Sequence, residues 1–241
     1  LNDPYFKDAR LPTGAKNIKK VRVNAAHYSV AEQWKFFRIL QKENLDLMHF
    51  THFNAPILYR RPSVVTIHDL TLSYFPGKKM TSWFHRFGYN FTLGSVTKHA
   101  HHIIAVSENT KKDLMKLLHI PAKNISVIYE GVSSQFRILE DKKIIPAALK
   151  KHRIKEPYLL YTGVWRSHKN LVNLLRAFAI LRNEKNFTGS LVITGKPDPW
   201  YPEVKQTTKD LRLSSHVIFT GMVPEEDLVA LYNGALAYVF P

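Results

Sequence analysis

Short runs of β-branched and aromatic residues recur along the chain, separated by longer segments with the period of an α-helix. Most of the runs are continuously apolar rather than alternating, which is typical of parallel strands covered on both faces. Strands are expected at residues 21–23, 47–50, 64–67, 103–106, 125–129, 158–161, 191–193, 217–219 and 237–239. This alternation of strand and helix predicts an α/β fold made of Rossmann-like βαβ units.

Two apolar stripes with helical spacing predict helices that face a core. In the second half of the chain the stripe consists of Leu171, Leu174, Leu175, Phe178 and Leu181. In the first half it consists of Val30, Trp34, Phe37 and Leu40. Two helix starts are also marked, because Ser107 stands at an N-cap position and Pro224 precedes three acidic residues suited to the positive end of the helix dipole.

A charged segment interrupts this rhythm at residues 138–156, where Lys, Arg and Glu dominate and prolines punctuate the chain. We predict an N-terminal domain at residues 1–137, a linker at 138–156 and a C-terminal domain at 157–241. The last is shorter than the roughly 100 to 150 residues of a typical domain, so it is expected to be incomplete. The opening at Leu1, without a methionine, favours a missing start as well.

Composition and charge narrow the classes of function. Of the 241 residues, 45% are hydrophobic and 22% are charged, which excludes a disordered or fibrous chain. The absence of cysteine excludes disulfides, a thiol nucleophile and cysteine-ligated metal centres, and it favours a cytoplasmic location. No apolar run approaches the roughly 20 residues of a membrane span. The net charge of +16 favours a polyanionic partner, which leaves nucleic acid, anionic lipid and phosphorylated small molecules open.

The most informative segment lies at residues 161–171. A strand ends at Gly163, a short loop carries Arg166 and Lys169, and a helix begins near Asn170. Two cations and the free amide N–H groups of a helix start, beyond the carboxyl end of a parallel strand, predict a diphosphate site. A basic loop without a ligand is the alternative interpretation. Neither G-x-G-x-x-G nor a P-loop is present, which argues against dehydrogenases and P-loop enzymes.

This segment resembles the G-x-x-x-x-R-K-N motif of retaining, nucleotide-sugar-dependent glycosyltransferases of family 4, which have the two-domain GT-B fold. Here Ser167 and His168 are inserted between the Arg and the Lys. Further segments match the family in the same order, at residues 65–70, 104–114, 127–132, 193–197 and 219–224. Ordered matches over nearly the whole chain are more specific than any one motif.

The resemblance implies two Rossmann-like domains facing a cleft, the first for the acceptor and the second for the nucleotide-sugar donor. It assigns the donor, a GDP- or UDP-sugar, to Gly163, Arg166, Lys169, Gly195, Met222 and Val223. Arg166 and Lys169 are implied to be catalytic, because they would neutralise the charge that grows on the departing diphosphate without a metal or other cofactor. Gly163 would let the backbone approach the phosphates, and Met222 with Val223 would lie against the nucleobase.

Three residues of the first domain are expected to face the acceptor. The resemblance makes His68 the catalytic histidine of the cleft, suited to hydrogen bonding and proton handling, although a structural histidine at a strand end is the alternative. His52 and Asn54 follow another strand and are expected to contact the acceptor. One departure from the family is Glu130, which stands where many relatives have Asn before Gly-Val. The family's acidic E-x7-E pair also lies beyond the sequence, so these residues alone are expected to be inactive.

No metal site is expected at His99, His101 and His102, because their spacing fits no common ligand pattern and they more simply form a polar connection between helix and strand. Aromatic and basic residues alternate at positions 83–87, but the apolar periodicity there favours core over nucleic-acid contact. Dispersed lysine and arginine pairs leave open a peripheral contact with an anionic membrane surface at the inner face.

The function predicted is transfer of a hexose, with mannose as first candidate, from a nucleotide diphosphate sugar to a hydroxyl of a glycan or glycolipid with retention of anomeric configuration. Two alternatives come from other classes: a basic nucleic-acid-binding module, and a non-catalytic glycosyltransferase-like binding protein.

Overall fold

The computed structural model describes residues 16–78, 82–141 and 143–241. Of these, the residues up to Glu130 form a first compact unit and those from Gly131 onward form a second, which also includes Gly77 and Lys78. Each unit is built on a four-stranded, fully parallel sheet. The predicted α/β class is therefore confirmed.

The sheet of the first unit has the strand order β1-β2-β3-β4. Its strands are β1 Met48–Phe50, β2 Ser63–Ile67, β3 His102–Ala105 and β4 Ile125–Val127. Its helices are α1 Val30–Glu43, α2 Thr71–Tyr74, α3 Trp83–His99 and α4 Glu108–Leu118, and a 3-10 turn spans Ala122–Asn124. The residues Phe50, Val65, Ile103 and Ile125 pair in one row across the four strands, and all four are buried. That row is the centre of the first core.

The second unit has the strand order β7-β6-β5-β8. Its strands are β5 Tyr158–Thr162, β6 Ser190–Thr194, β7 Val217–Gly221 and β8 Ala237–Tyr238. Its helices are α5 Ile144–Lys151, α6 Leu171–Lys185, α7 Glu203–Asp210 and α8 Glu225–Gly234, and a 3-10 turn spans Ser167–Lys169.

Both faces of the second sheet are buried at its central strands β5 and β6. Tyr161, Leu191 and Ile193 pack with the stripe of α6 in one core cluster. Tyr158 and Val192 pack with residues from α5 and α8 in another. Because successive side chains of a strand point to opposite faces, β5 and β6 must be apolar throughout, as the sequence pattern predicted.

Most of the predicted elements are confirmed, with changes of one or two residues at their ends. The run at residues 21–23 is an exception, because it has no regular secondary structure in the described part of the chain. A three-residue run needs a neighbouring strand to pair with, and β1 pairs only with β2 there. Ser107 does cap α4, accepting a hydrogen bond from the Thr110 amide N–H at 3.1 Å, and α8 begins directly after Pro224.

The apolar stripe expected on α1 is only partly correct. Leu40 is buried and Phe37 packs against the core, but Val30 is 87% exposed and Trp34 is 56% exposed. β1 is an edge strand of only three residues, and Leu40 is the only residue of α1 that is buried among the described residues. The stripe on α6 is confirmed, since Leu171, Leu174, Leu175 and Phe178 are all buried there.

The interpretation of residues 83–87 as core is wrong. Helix α3 buries Leu93, Val96 and Thr97 instead. Its opposite side carries Trp83, Phe84, Phe87 and Phe91, which are 53% to 76% exposed and are called the aromatic face below. The spacing of apolar residues indicated an amphipathic helix, but two apolar sides were present and only one faces the sheet.

The segment 138–156, predicted as a linker, contains helix α5, which packs against α8 in the second unit. Asp227 of α8 accepts hydrogen bonds from Lys151 Nζ at 2.6 Å and from His152 Nε2 at 2.9 Å. These two donors hold the pKa of the Asp227 carboxyl below its usual range. Among the described residues, no helix combines the length and the apolar character needed to cross a bilayer.

Three glycines with positive φ stand side by side where β5, β6 and β7 end. Gly163 has φ of 146°, Gly195 has 107° and Gly221 has 72°, and we call them the glycine row. The Gly195 amide donates to the Gly221 carbonyl at 2.8 Å. A Cβ built on Gly195 would overlap the Gly163 carbonyl oxygen, so the two loops touch through bare backbone.

We expect Gly195→Ala to lower the free energy of unfolding of the second unit by more than about 3 kcal/mol, since backbone strain and the clash each cost about 1 to 3 kcal/mol. Gly221→Ala is the matched control, because a Cβ there meets nothing within 4 Å and only the strain remains. Its expected cost is about 1 kcal/mol. Chemical denaturation of both variants checks this, and equal losses would contradict the close contact.

Candidate functional site

The loop between β5 and α6 carries both cations that the sequence singled out. A 3-10 turn at Ser167–Lys169 follows Arg166, and Asn170 then adopts a left-handed conformation with φ of 57° before α6 begins at Leu171. The Asn170 side chain caps no backbone amide of α6, and its Oδ1 instead accepts from Nδ2 of Asn173 at 2.9 Å. The helix therefore presents its positive end, uncapped by its own N-cap residue, next to two basic side chains.

Arg166 is held by an acidic partner that sequence reasoning missed. Its Nη1 forms an ion pair with Oδ2 of Asp198, and its guanidinium lies 5.7 Å from the centre of the Tyr201 ring. The second carboxylate oxygen of Asp198 accepts from the Trp200 amide at 3.1 Å. Asp198 follows Gly195 by three residues in the loop after β6. Because β5 and β6 are parallel neighbours, this position could have indicated that Asp198 lies near the loop of Arg166.

Lys169 has a different environment. Its Nζ lies 4.8 Å from the centre of the Phe240 ring, a cation–π geometry that leaves the charge without a carboxylate. Phe240 in turn stacks on Tyr161, with ring planes 7° apart. Among the described residues no carboxylate pairs with Lys169, so its charge stays available to a bound anion. Arg166 has to release Asp198 before it can bind an anion.

The remaining residues predicted to bind the donor lie in the glycine row or directly after it in the sequence. The structure brings Gly163 and Gly195 into direct contact, and it adds Gly221, which sequence reasoning did not single out. Met222 follows directly and is 73% exposed, whereas Val223 packs against a core cluster. Of this predicted pair, Met222 thus offers the larger free apolar surface.

A buried hydroxyl lies under the glycine row. A Cβ on Gly163 would be 3.1 Å from Tyr161 Oη, and that oxygen has no hydrogen-bond partner among the described residues. Burial, together with nearby Tyr238, raises the pKa of Tyr161 to about 12. Tyr161 consequently stays protonated at neutral pH and adds no negative charge beside the two cations.

In the first unit, His68 stands directly after β2 and both of its ring nitrogens have partners. Its Nδ1 is 2.7 Å from Oε1 of Glu130, and its Nε2 is 2.8 Å from the Thr51 carbonyl oxygen. The His68 carbonyl accepts from Thr110 Oγ1 at 3.1 Å, which fixes the backbone. The loops after β1, β2 and β4 thus meet at the carboxyl edge of this sheet.

His52 and Asn54 lie beside His68. The His52 ring stacks on the His68 ring with centroids 6.2 Å apart, and its Nδ1 accepts from the Asn54 amide at 3.1 Å. The Asn54 side chain donates to Glu32 Oε2 at 2.9 Å. Burial, and then the neighbouring His68, lower the pKa of His52. The structure therefore joins the three residues predicted for the acceptor into one cluster.

The three histidines around the start of β3 make structural hydrogen bonds. His99 bonds the Ser95 carbonyl, His101 accepts from the Ser63 amide, and His102 contacts Ser126 Oγ across the strands. Among the residues that the structure describes, no group of three or more His, Asp and Glu side chains is arranged to hold a metal ion.

Comparison with known proteins gives two family matches that together cover most of the chain. Residues 11–136 match the model of Glycosyltransferase Family 4, and residues 145–241 match that of Glycosyl transferases group 1. The first match alone spans more than half of the sequence.

Curated relatives agree with these matches. The O-antigen chain mannosyltransferase RfbU of Salmonella typhimurium is 27% identical over 233 residues, covering 96% of this chain and 60% of RfbU. The O-antigen chain mannosyltransferase B of Escherichia coli is 25% identical over 203 residues, covering 81% of this chain and 50% of that protein. The chain thus spans about half to three-fifths of the length of these relatives.

The fold has solved counterparts as well. The crystal structure of Anabaena HepE in complex with UDP-glucose superposes with a TM-score of 0.68 at 16% sequence identity, covering 86% of this chain and 56% of HepE. A likeness at this identity shows the fold, which is the GT-B type. With this fold, and with a family model that matches more than half of its sequence, the chain belongs to glycosyltransferase family 4.

Proposed function

We propose that this protein transfers a hexose from a nucleotide diphosphate sugar to a hydroxyl of a glycan or glycolipid, with retention of anomeric configuration. The observation that carries the proposal is the edge of the second sheet, where Arg166, Lys169 and an uncapped helix start adjoin the glycine row. Mannose is the first candidate sugar because both curated relatives are mannosyltransferases. Family membership favours this function over a nucleic-acid-binding module.

The donor diphosphate gains negative charge as it leaves the sugar, so fixed positive charge at its oxygens stabilises the transition state. Lys169 supplies one such charge, Arg166 a second, and the first amides of α6 supply hydrogen-bond donors. Gly163 and Gly195 have no Cβ, which lets a phosphate approach the backbone closely. The exposed Met222 is our candidate for contact with the nucleobase, with Val223 fixing its loop.

On the acceptor side, the proposal places His68, His52 and Asn54 at the acceptor hydroxyl. His68 is 42% exposed in its side chain, so it can be reached from solvent although both nitrogens are engaged. With two cations at the diphosphate, we propose that transfer needs no metal ion.

The first test is calorimetric titration of GDP and UDP in the presence of EDTA. We expect one nucleotide to bind, and Arg166→Ala and Lys169→Ala each to weaken it by roughly ten- to a hundredfold, since one charge-assisted hydrogen bond contributes about 1.5 to 3 kcal/mol.

Arg176→Ala is the control, because this exposed cation on α6 donates to Asn173 rather than to a residue predicted for the donor, and its loss should leave affinity unchanged. Equal loss in all three variants would indicate a diffuse charge effect. Binding of single-stranded nucleic acid with no nucleotide affinity would refute the donor site.

The Asp198 carboxylate competes with a diphosphate for the Arg166 guanidinium. We therefore expect Asp198→Asn to tighten nucleotide binding by about three- to tenfold, because one negative charge next to the ligand is removed. The Asn oxygen can still accept from the Trp200 amide, which keeps the loop in place. The same titration measures this, and weaker binding would instead mean that Asp198 orients Arg166 for the ligand.

A contact with an anionic membrane surface is the second part of the proposal, and the aromatic face of α3 supports it. Trp83, Phe87 and Phe91 stack successively along the helix, with centroids 5.6 Å and 5.9 Å apart. Helix α3 has no acidic residue, and exposed Lys98 follows in its last turn. Exposed aromatic rings next to cations, on a chain of net charge +16, suit the interface of an anionic bilayer. A cytoplasmic location stays a prediction.

We expect the protein to co-sediment with vesicles containing one-third phosphatidylglycerol. The double variant Trp83→Ala, Phe87→Ala should bind them at least roughly tenfold more weakly, because two exposed rings that would enter the bilayer interface are lost. Trp34→Ala removes another exposed tryptophan, from α1, and should bind normally. If the double variant retains full binding, the aromatic face is not the contact; if it only abolishes self-association, a second copy covers this face.

A further inference from the structure

His68 makes two hydrogen bonds that a neutral imidazole cannot make together. Its Nδ1 faces the Glu130 carboxylate at 2.7 Å, and its Nε2 faces the Thr51 carbonyl at 2.8 Å. A carbonyl oxygen and an ionised carboxylate only accept, whereas a neutral imidazole carries one N–H. Either neutral tautomer would leave one ring lone pair pointing at an oxygen lone pair. The observed geometry is satisfied when both nitrogens carry a proton.

The extra proton belongs on the ring rather than on Glu130. The Glu130 side chain is 63% exposed, so water solvates its carboxylate. A carboxylate in contact with water has no need of a proton to be satisfied, and it can accept the hydrogen bond from Nδ1. The pair is therefore an imidazolium and a carboxylate joined by a charge-assisted hydrogen bond.

The fold holds this pair from three sides. Glu130 lies three residues beyond β4, Thr51 directly follows β1, and His68 follows β2 between them. The Ile128 amide donates to the Ala105 carbonyl at 3.0 Å, which ties the segment before Glu130 to β3. Because β3 separates β2 from β4 in the sheet, a long acidic side chain is needed to span the distance to His68.

The surrounding charges are consistent with one charged and one neutral histidine. His52 stacks on His68, and its Nδ1 accepts a hydrogen bond from the Asn54 amide, so this nitrogen carries no proton. Asp69 and Glu32 are the other acidic groups that act on His52. A second imidazolium at His52 would face the first at 6.2 Å, which like-charge repulsion disfavours.

We propose that Glu130 is a positioning residue that keeps His68 doubly protonated, so that a fixed positive charge stands at the carboxyl end of β2. An imidazolium cannot accept a proton. The consequence for catalysis rests on the proposed function. His68 contributes a positive charge and an N–H donor to the substrates, and it is not the base that removes the proton of the acceptor hydroxyl. The sequence feature behind this is the departure at Glu130, since an Asn there would supply no negative charge.

The direct test is the ¹⁵N spectrum of the histidine rings, with His68 assigned through His68→Gln. At neutral pH we expect both ring nitrogens of His68 to show protonated shifts in the unaltered protein. In Glu130→Gln one of them should show the shift of an unprotonated nitrogen. A single protonated nitrogen in the unaltered protein would overturn the proposal, even if the variant failed to fold.

Asp69→Asn is the matched control, because it removes a carboxylate from the same loop. Asp69 accepts from the Thr71 amide at 2.8 Å and its charge acts on His52, so His68 should remain doubly protonated. If His68 loses its second ring proton in both variants, the summed negative charge around it, and not Glu130 in particular, keeps the ring doubly protonated.

Transfer activity gives the second readout. In Glu130→Gln we expect the rate to fall at alkaline pH and to recover toward the unaltered rate as the pH is lowered, because acid protonates His68 without help. A loss that is constant with pH would indicate a merely structural role and overturn the positioning role. Failure of the proposed function would appear separately, as absent nucleotide binding with an unchanged histidine spectrum.

Discussion

The contact between bare backbone at Gly163 and Gly195 is the constraint on which the second unit depends. Parallel strands end at one edge of their sheet, so the loops after β5, β6 and β7 compete for the same space. With a side chain at Gly195 the loops would have to separate, since a Cβ would overlap the Gly163 carbonyl. Their close approach places the loop of Arg166 next to that of Asp198.

Each unit holds a basic group of the proposed site with a carboxylate from another loop. Arg166 pairs with Asp198 in the second unit, and His68 pairs with Glu130 in the first. The two pairs differ in consequence. A guanidinium is always charged, so Asp198 affects only its availability, whereas an imidazole gains its charge from the partner. Removal of Asp198 and removal of Glu130 are therefore expected to have different effects on the two basic groups.

In the first unit, helix α3 combines an exposed aromatic face with basic residues. The aromatic face of α3 exposes rings that a typical globular protein would bury, on a helix without acidic residues. Aromatic rings beside cations are the groups that are stable where lipid and water meet, which is the reason for the proposed membrane contact.

The sequence by itself determined the α/β class, eight strand positions near their observed bounds, the buried stripe of α6, the cap at Ser107 and the loop with Arg166 and Lys169. These follow from local period and local chemistry. The tertiary structure alone decided which side of α3 is buried, that Val30 and Trp34 stay exposed, and that Asp198 and Glu130 are the partners of Arg166 and His68. Such facts depend on which strands are neighbours: residues 32 and 62 positions apart meet only because parallel strands bring their ends to one edge.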